Sequence, residues 1–220
     1  MQTISKYTPA EEQANAISHL TGSVAAAIAT FIMIKYSVIH GTTWHIVASA
    51  IYGGSMFLLF TFSGMTHILP PGKAKIIFSY LDEIGIFLMI AGTYTPFTLI
   101  AIHGTTGWIM FGLEWALALT GIGLKLFDKQ GLEDRTKTIF VVLYLIMGWL
   151  FLIAPGAIYR AITPAGFRLI LLAGVMYSVG VIFFRWHRLK FHHLIWHLFV
   201  LAAAGLFFLC IYKYVLPIQI

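Results

Sequence analysis

The sequence predicts an all-α membrane protein, a single bundle of seven transmembrane helices occupying residues 1–220. Composition is the first observation behind this: 60% of the residues are hydrophobic and 10% are charged, whereas soluble domains carry about 25% charged residues. The second is a mean hydropathy of +0.88. The third is that the apolar residues gather into seven stretches, each near the ~20 residues that cross a hydrocarbon core. The sole cysteine, Cys210, excludes an intrachain disulfide and a thiolate metal cluster. A pI of about 9.5 in so sparsely charged a chain reflects loop topology rather than nucleic-acid binding.

The first stretch, roughly Ala16–Ile39, follows Glu11 and Glu12 and has no convincing small-residue cleavage site, so it reads as a retained helix and not a signal peptide. The second, His45–Ile68, is stopped by Pro70-Pro71-Gly72. The third, Leu81–Ile102, contains Pro96, which predicts a kink, and ends at the turn His103-Gly104-Thr105-Thr106. The fourth, Gly107–Leu126, leads into a charged loop, Lys125–Lys137. The fifth, Thr138–Ile158, and the sixth, Gly166–Phe184, precede a basic loop, Arg185–Lys190. The seventh is His193–Leu216. Small residues at Gly53-Gly54-Ser55, Gly121-x-Gly123 and Ala202–Gly205 predict close helix packing, and the many aromatic residues are expected mostly at lipid-facing and interfacial positions. There is no internal repeat and no room for a second domain.

Orientation follows from Lys and Arg. One side collects Lys6, Lys73, Lys75, Lys125, Lys129, Arg135, Lys137, Arg185, Arg188 and Lys190; the other has only Lys35, Arg160, Arg168 and Lys213. The N-terminus is therefore expected in the cytoplasm and the C-terminus outside. This is opposite to the polarity of G-protein-coupled receptors. Lys213 lies too near the outer end of its stretch to match the mid-helix retinal lysine of microbial rhodopsins.

The polar residues converge. His193 and His197 are i and i+4 at the start of the seventh stretch, so they share a face within the first ~10 Å of depth. Ser63 and His67 have the same spacing at the matching end of the second, and Asp82 opens the third. Glu12, Asn15 and His19 share one face where the first begins. Polar side chains are costly in hydrocarbon, and several at one level imply mutual compensation. Three histidines from two helices plus one water make the open four-coordinate arrangement of catalytic zinc. Asp82 then holds that water or takes its proton, and Ser63 orients a ligand or donates to a developing oxyanion. A proton or ion relay is the rival, though only Glu114 supplies an ionisable group in the opposite leaflet. Glu114 is either a relay step or, preferably, a carboxyl satisfied by Trp115 or by Tyr and Thr neighbours. Bis-histidine haem is a third possibility, but leaves Ser63 and Asp82 without a role. His40, His45, His103, His187 and His192 read as snorkelling interfacial residues.

Ser63-x3-His67 ending one helix, Asp82 opening the next and His193-x3-His197 opening the last resemble the hemolysin III proteins, the bacterial branch of the progestin and adipoQ receptor family. Supporting stretches are EEQANAISH (residues 11–19), IAGTYTPF (90–97), YLIMGWL (144–150), YSVGVIFF (177–184) and IWHLFVL (195–201). The resemblance spans essentially the whole chain. It implies zinc held by His67, His193 and His197, with Asp82 holding a water, Ser63 behind it, and hydrolysis of a lipid amide or ester in membrane lipid homeostasis. The resemblance further implies membrane lipids as partners and the bacterial cytoplasmic (inner) membrane as the location; no nucleic acid is expected, and a protein partner and the oligomeric state are left open. A zinc-containing sensor or regulator, and a pore-forming cytolysin, remain the alternatives. Thr66, Glu83 and Phe207 depart from the Tyr, His and His usual in the family. Glu83 would add a second carboxylate at the rim of the site, either altering the base or simply facing the headgroups, and with Glu12, Asn15 and His19 it is a candidate for the polar surroundings. The chain lacks the long N-terminal region of the animal receptors, so a hormone-receptor role is not carried over.

Overall fold

The computed structural model describes residues 7–127, 134–153 and 155–220, with side chains from residue 138 onward in the second range. Most of the expected charged loop, and Lys6, Lys129 and the side chains of Arg135 and Lys137, lie outside these residues. All regular structure among the described residues is helical: α1 (Pro9–His40), α2 (Thr43–Ile68), α3 (Lys73–Pro96), α4 (Gly104–Phe127), α5 (Asp134–Gly148), α6 (Pro155–Ala161), α7 (Pro164–Arg185) and α8 (His192–Cys210). Six helices are long and apolar enough to cross a membrane: α1, α2, α3 with its extension to Ile102, α4, α7, and α8 with its extension to Val215.

Local chemistry sets the ends. α1 begins seven residues before the expected Ala16 because Thr8 and Glu11 form a reciprocal cap: Thr8 Oγ1 accepts from Glu11 N at 3.3 Å, and Thr8 N donates to Glu11 Oε2 at 2.9 Å. Pro9 occupies the first turn, where its missing N–H costs nothing. α3 begins at Lys73, directly after the Pro70-Pro71-Gly72 turn, so Asp82 lies in its third turn and not its first. The charges of Lys73 and Lys75 hide that extension from a hydropathy count. Pro96 ends the regular part of α3, and the chain continues as a π-helix, Phe97–Ile102. It turns at His103 (φ 38°) and Gly104 (φ 69°), and α4 starts at Gly104, so only His103 of the expected four-residue turn lies outside a helix.

The fifth apolar stretch is not the single helix its hydropathy predicts. α5 stops at Gly148, a 3-10 turn covers Leu150–Ile153, and α6 is seven residues long. Gly148 weakens the helix and Pro155 starts a new one. The Tyr94 hydroxyl donates to Gly148 O at 3.1 Å and accepts from Phe151 N at 2.9 Å. Backbone freed at the break is thus satisfied inside protein, as hydrocarbon requires.

The main core lies where α1, α2, α3 and α8 meet, around Met33, Tyr52, Met56, Phe60, Ile100 and Val200. A smaller one groups Phe87, Ala91, Ala118, Phe140 and Met147. Tyr52, Phe60 and Phe87 are fully buried, so the aromatic residues are more than lipid-facing filler. Gly53 lets Thr30 approach α2, and Gly121 lets the Phe87 ring lie against α4. Gly54, Gly123 and Gly205 face open space. The outer surface carries Val24, Ile28 and Phe31 of α1 among many exposed apolar residues, as a lipid-facing surface does.

Candidate metal centre

α2 runs toward one end of the bundle and α8 starts from it, so the last turn of α2 meets the first two turns of α8. A hydrogen bond between helix starts fixes the approach of α8 to α1: Phe191 N donates to Glu11 Oε1 at 2.8 Å, with Phe191 at φ 57°. His67, His193 and His197 are thereby brought together, each at most 9% exposed. Their ring centroids are 5.0 Å (His67–His193), 5.2 Å (His67–His197) and 4.5 Å (His193–His197) apart. One ring nitrogen from each lies within 4.8 Å of the others. Nitrogens at 2.0–2.1 Å from a tetrahedral zinc sit roughly 3.4 Å apart, so small side-chain rotations close this set on an ion.

The hydrogen bonds around the rings leave nitrogens available for a metal. His67 Nδ1 lies 2.5 Å from Glu12 Oε2, and a carboxylate there holds the proton on Nδ1. His67 Nε2 is then an acceptor; it is buried and has no partner. Ser18 gives its hydroxyl hydrogen to Asn15 O at 2.8 Å, so at 2.9 Å from His197 Nδ1 it accepts. His197 Nδ1 therefore carries the proton and its Nε2 is free of one. His193 Nδ1 is buried without a partner. Orphaned imidazole nitrogens converging on one point fit a divalent ion. Lys75 of α3 completes the chain, donating to Glu12 Oε1 at 2.9 Å.

Ser63 lies one turn before His67, is 2% exposed, and stands beside the half-buried Asp82 carboxyl. Asp82 is not among the residues whose donor atoms converge with those of the histidines. That placement suits holding a water better than direct ligation. Asn15 and His19 are buried on the same face of α1. The His19 ring stacks on His197 at 3.5 Å with an interplanar angle of 8°. Neither its ring nitrogens nor the Asn15 amide have a partner. Tyr7 covers the cluster from outside the spans, 5.0 Å from His193 and 5.8 Å from His67. Burial and then the nearby Glu12, Asp82 and Glu11 carboxylates push its phenol above the usual range. An open groove of about 500 Å³ runs from the lipid-facing side of α1 and α2 to His67.

Several expectations are corrected. Glu83 is engaged away from the histidines: it pairs with Lys125 of α4 at 2.6 Å while 41% of its side chain stays exposed, and its backbone oxygen accepts from Tyr144. Glu114 is fully buried and neither carboxyl oxygen has a partner, because the Trp115 indole donates to Thr95 Oγ1 instead. His45 and His192 are buried and bonded rather than snorkelling. His45 Nε2 meets Ile218 O at 2.9 Å, and His192 Nδ1 meets Phe183 O at 3.1 Å. Ser18, Lys75 and Tyr7 were missed by sequence reasoning. Ser18 sits at i+3 from Asn15, a spacing that signals a shared face; nothing in the sequence points to the other two.

The model of the haemolysin-III related family matches residues 7–208. Hemolysin-3 of Bacillus cereus is 44% identical over 207 residues, covering 94% of this chain and 93% of its own. The hemolysin-3 homolog of Bacillus subtilis (strain 168) is 40% identical over 208 residues, covering 94% and 96%. Human monocyte to macrophage differentiation factor is 27% identical over 219 residues, covering 95% and 87%, which supports the wider relation to the progestin and adipoQ receptors.

Proposed function

We propose that this chain, which belongs to the haemolysin-III related family, is a zinc-dependent hydrolase of lipid amides or esters. It works in the cytoplasmic leaflet of the inner membrane, with its N-terminus in the cytoplasm, and serves membrane lipid homeostasis. In this reading α5, the 3-10 turn and α6 together make the seventh crossing. The observation that carries it is the set of three buried histidines from two helices: Glu12 and Ser18 engage one nitrogen each of His67 and His197, and His67 Nε2 and His193 Nδ1 are buried without a partner.

His67, His193 and His197 would hold the ion. Bound zinc supplies a Lewis acid for a carbonyl oxygen and lowers the pKa of a water to about 7. The chain's own groups do the rest. The Asp82 carboxylate accepts a proton from a water aimed at the lipid carbonyl. The Ser63 hydroxyl orients that carboxylate, and burial excludes competing water. The groove that reaches His67 admits substrate sideways from the membrane.

Elemental analysis of tag-free protein, beside a His193→Ala/His197→Ala variant, tests the site; about one zinc per chain, lost in the variant, is expected. Asp82→Asn is expected to keep the metal and abolish turnover of lipid amides and esters. Unchanged turnover would remove Asp82 as the base. A metal that only fixes α2 against α8, in a sensor or regulator, is the second reading. It predicts unfolding on chelation and no turnover in the wild type. The Bacillus relatives are called hemolysins, and lysis by this chain is measured directly by dye release from vesicles.

A further inference from the structure

We propose that the groove between α1 and α2 seats an anionic phospholipid from the leaflet that holds the histidine cluster, with an acyl chain along its apolar wall and the headgroup linkage beside His67. The proposal rests on the hydrolase reading only for the fate of that lipid, not for its binding.

The groove's volume of about 500 Å³ falls in the range of ligand sites. Ala16, Ile17 and Leu20 of α1 form one wall, with Ile68 and Leu69 closing it from the end of α2. Ile17 and Ile68 are 58% and 57% exposed on spanning helices, so the opening faces hydrocarbon and not water. The opposite end changes character within one helical turn: Tyr7, Glu12, Gln13, His67 and Lys75 line it. An amphipathic slot graded in this way along the bilayer normal matches a lipid, whose polar linkage and chain are graded alike.

Charge selects the headgroup. Lys75 donates to Glu12 Oε1 and to Leu69 O, and its ammonium keeps a third hydrogen for a phosphate oxygen. Lys73, exposed in the same first turn of α3, adds a second cation, while Glu12 is the one acid lining the groove. Within the lining Lys75 balances Glu12, so the excess cation at this edge is Lys73, which lies outside the lining and has no ion pair among the described residues. One cationic side chain at a membrane surface favours an anionic over a zwitterionic lipid by about five-fold.

The test is photolabelling of the full chain in vesicles, using phosphatidylglycerol with a diazirine on its acyl chain and mapping the labelled peptides. Label is expected to concentrate on residues 13–20 and 68–71 over Ile76 and Ile77, which are lipid-exposed at the same end of α3. Ile17→Trp and Gln13→Trp fill the groove from exposed positions without disturbing the core. Each should lower the groove label severalfold with metal content unchanged. Even labelling of all exposed positions, or unaltered labelling in both variants, overturns the proposal. Phosphatidylcholine carrying the same diazirine should label about five-fold less, and Lys73→Gln/Lys75→Gln should abolish the difference. Equal labelling by the two lipids overturns the anionic headgroup. Groove labelling without lipid turnover supports this proposal and overturns the hydrolase reading.

Discussion

Glu12→Gln probes the hydrogen bond that prepares His67 for metal. The carboxylate faces two donors, His67 Nδ1 at 2.5 Å and Lys75 Nζ at 2.9 Å. A glutamine of the same shape has one oxygen, and its NH2 must face whichever donor the oxygen does not. Either His67 loses its acceptor or the amide turns a donor toward an ammonium. The proton is then no longer fixed on Nδ1, and the tautomer that binds through Nε2 is less populated. Loss of such an outer carboxylate typically weakens metal binding 10–100-fold, or about 1.4–2.7 kcal/mol. That agrees with the ~1.5–3 kcal/mol net worth of a hydrogen bond to a charged group. Competition against a chromophoric chelator, on detergent-solubilised protein at fixed pH, reads the dissociation constant. Lys75→Met is the control. It removes the ion pair but leaves the Glu12–His67 bond, so it should change affinity by less than about five-fold. If the glutamine variant binds within about two-fold of the wild type, Glu12 does not set the His67 tautomer, and the inference that Nε2 faces the metal fails.

Ser18→Ala removes the hydroxyl that accepts from His197 Nδ1; the expected cost is a weaker effect than that of Glu12→Gln, about 0.5–1.5 kcal/mol in metal affinity by the same competition assay. Glu114→Leu replaces a fully buried carboxyl that has no partner. It should raise thermal stability in detergent by about 1–3 kcal/mol, and a fall would reveal a bound water or cation at that carboxyl. Glu83→Gln takes the carboxylate from the buried Lys125 ammonium; because Glu83 is 41% exposed, the loss should be nearer 1–2 kcal/mol than the ~3–5 of a fully buried pair, read by thermal unfolding with metal content unchanged.

What the sequence reveals depends on which force shapes each part. The six long spans are legible because hydropathy counts apolar residues and the bilayer demands about 20 of them. The fifth stretch defeats that count. It is apolar throughout, but Gly148 and Pro155 decide where its backbone can be helical, and the Tyr94 hydroxyl from another helix satisfies the break. No window centred on residues 138–158 contains Tyr94. The start of α3 was misplaced for the opposite reason: Lys73 and Lys75 continue a helix that hydropathy treats as loop.

The site divides along the same line. The convergence of His67, His193 and His197 was legible because a polar group in hydrocarbon needs a partner, and spacing with topology assigns it a depth. Depth alone does not give direction. Glu83 follows Asp82 in sequence and lies at nearly the same level, but one residue turns a helical side chain by about 100°, and it pairs with Lys125 on α4 instead. Glu12 was legible as a member of the cluster but not as the acceptor for His67, since that required knowing that α1 starts at Pro9. The Thr8–Glu11 cap therefore does more than begin a helix. It carries α1 past the histidines, so that Glu11 holds the start of α8, Glu12 meets His67 and Ser18 meets His197. A chain whose first helix began at Ala16, where hydropathy rises, would lose both the hold of Glu11 on the start of α8 and the carboxylate that fixes the proton on His67.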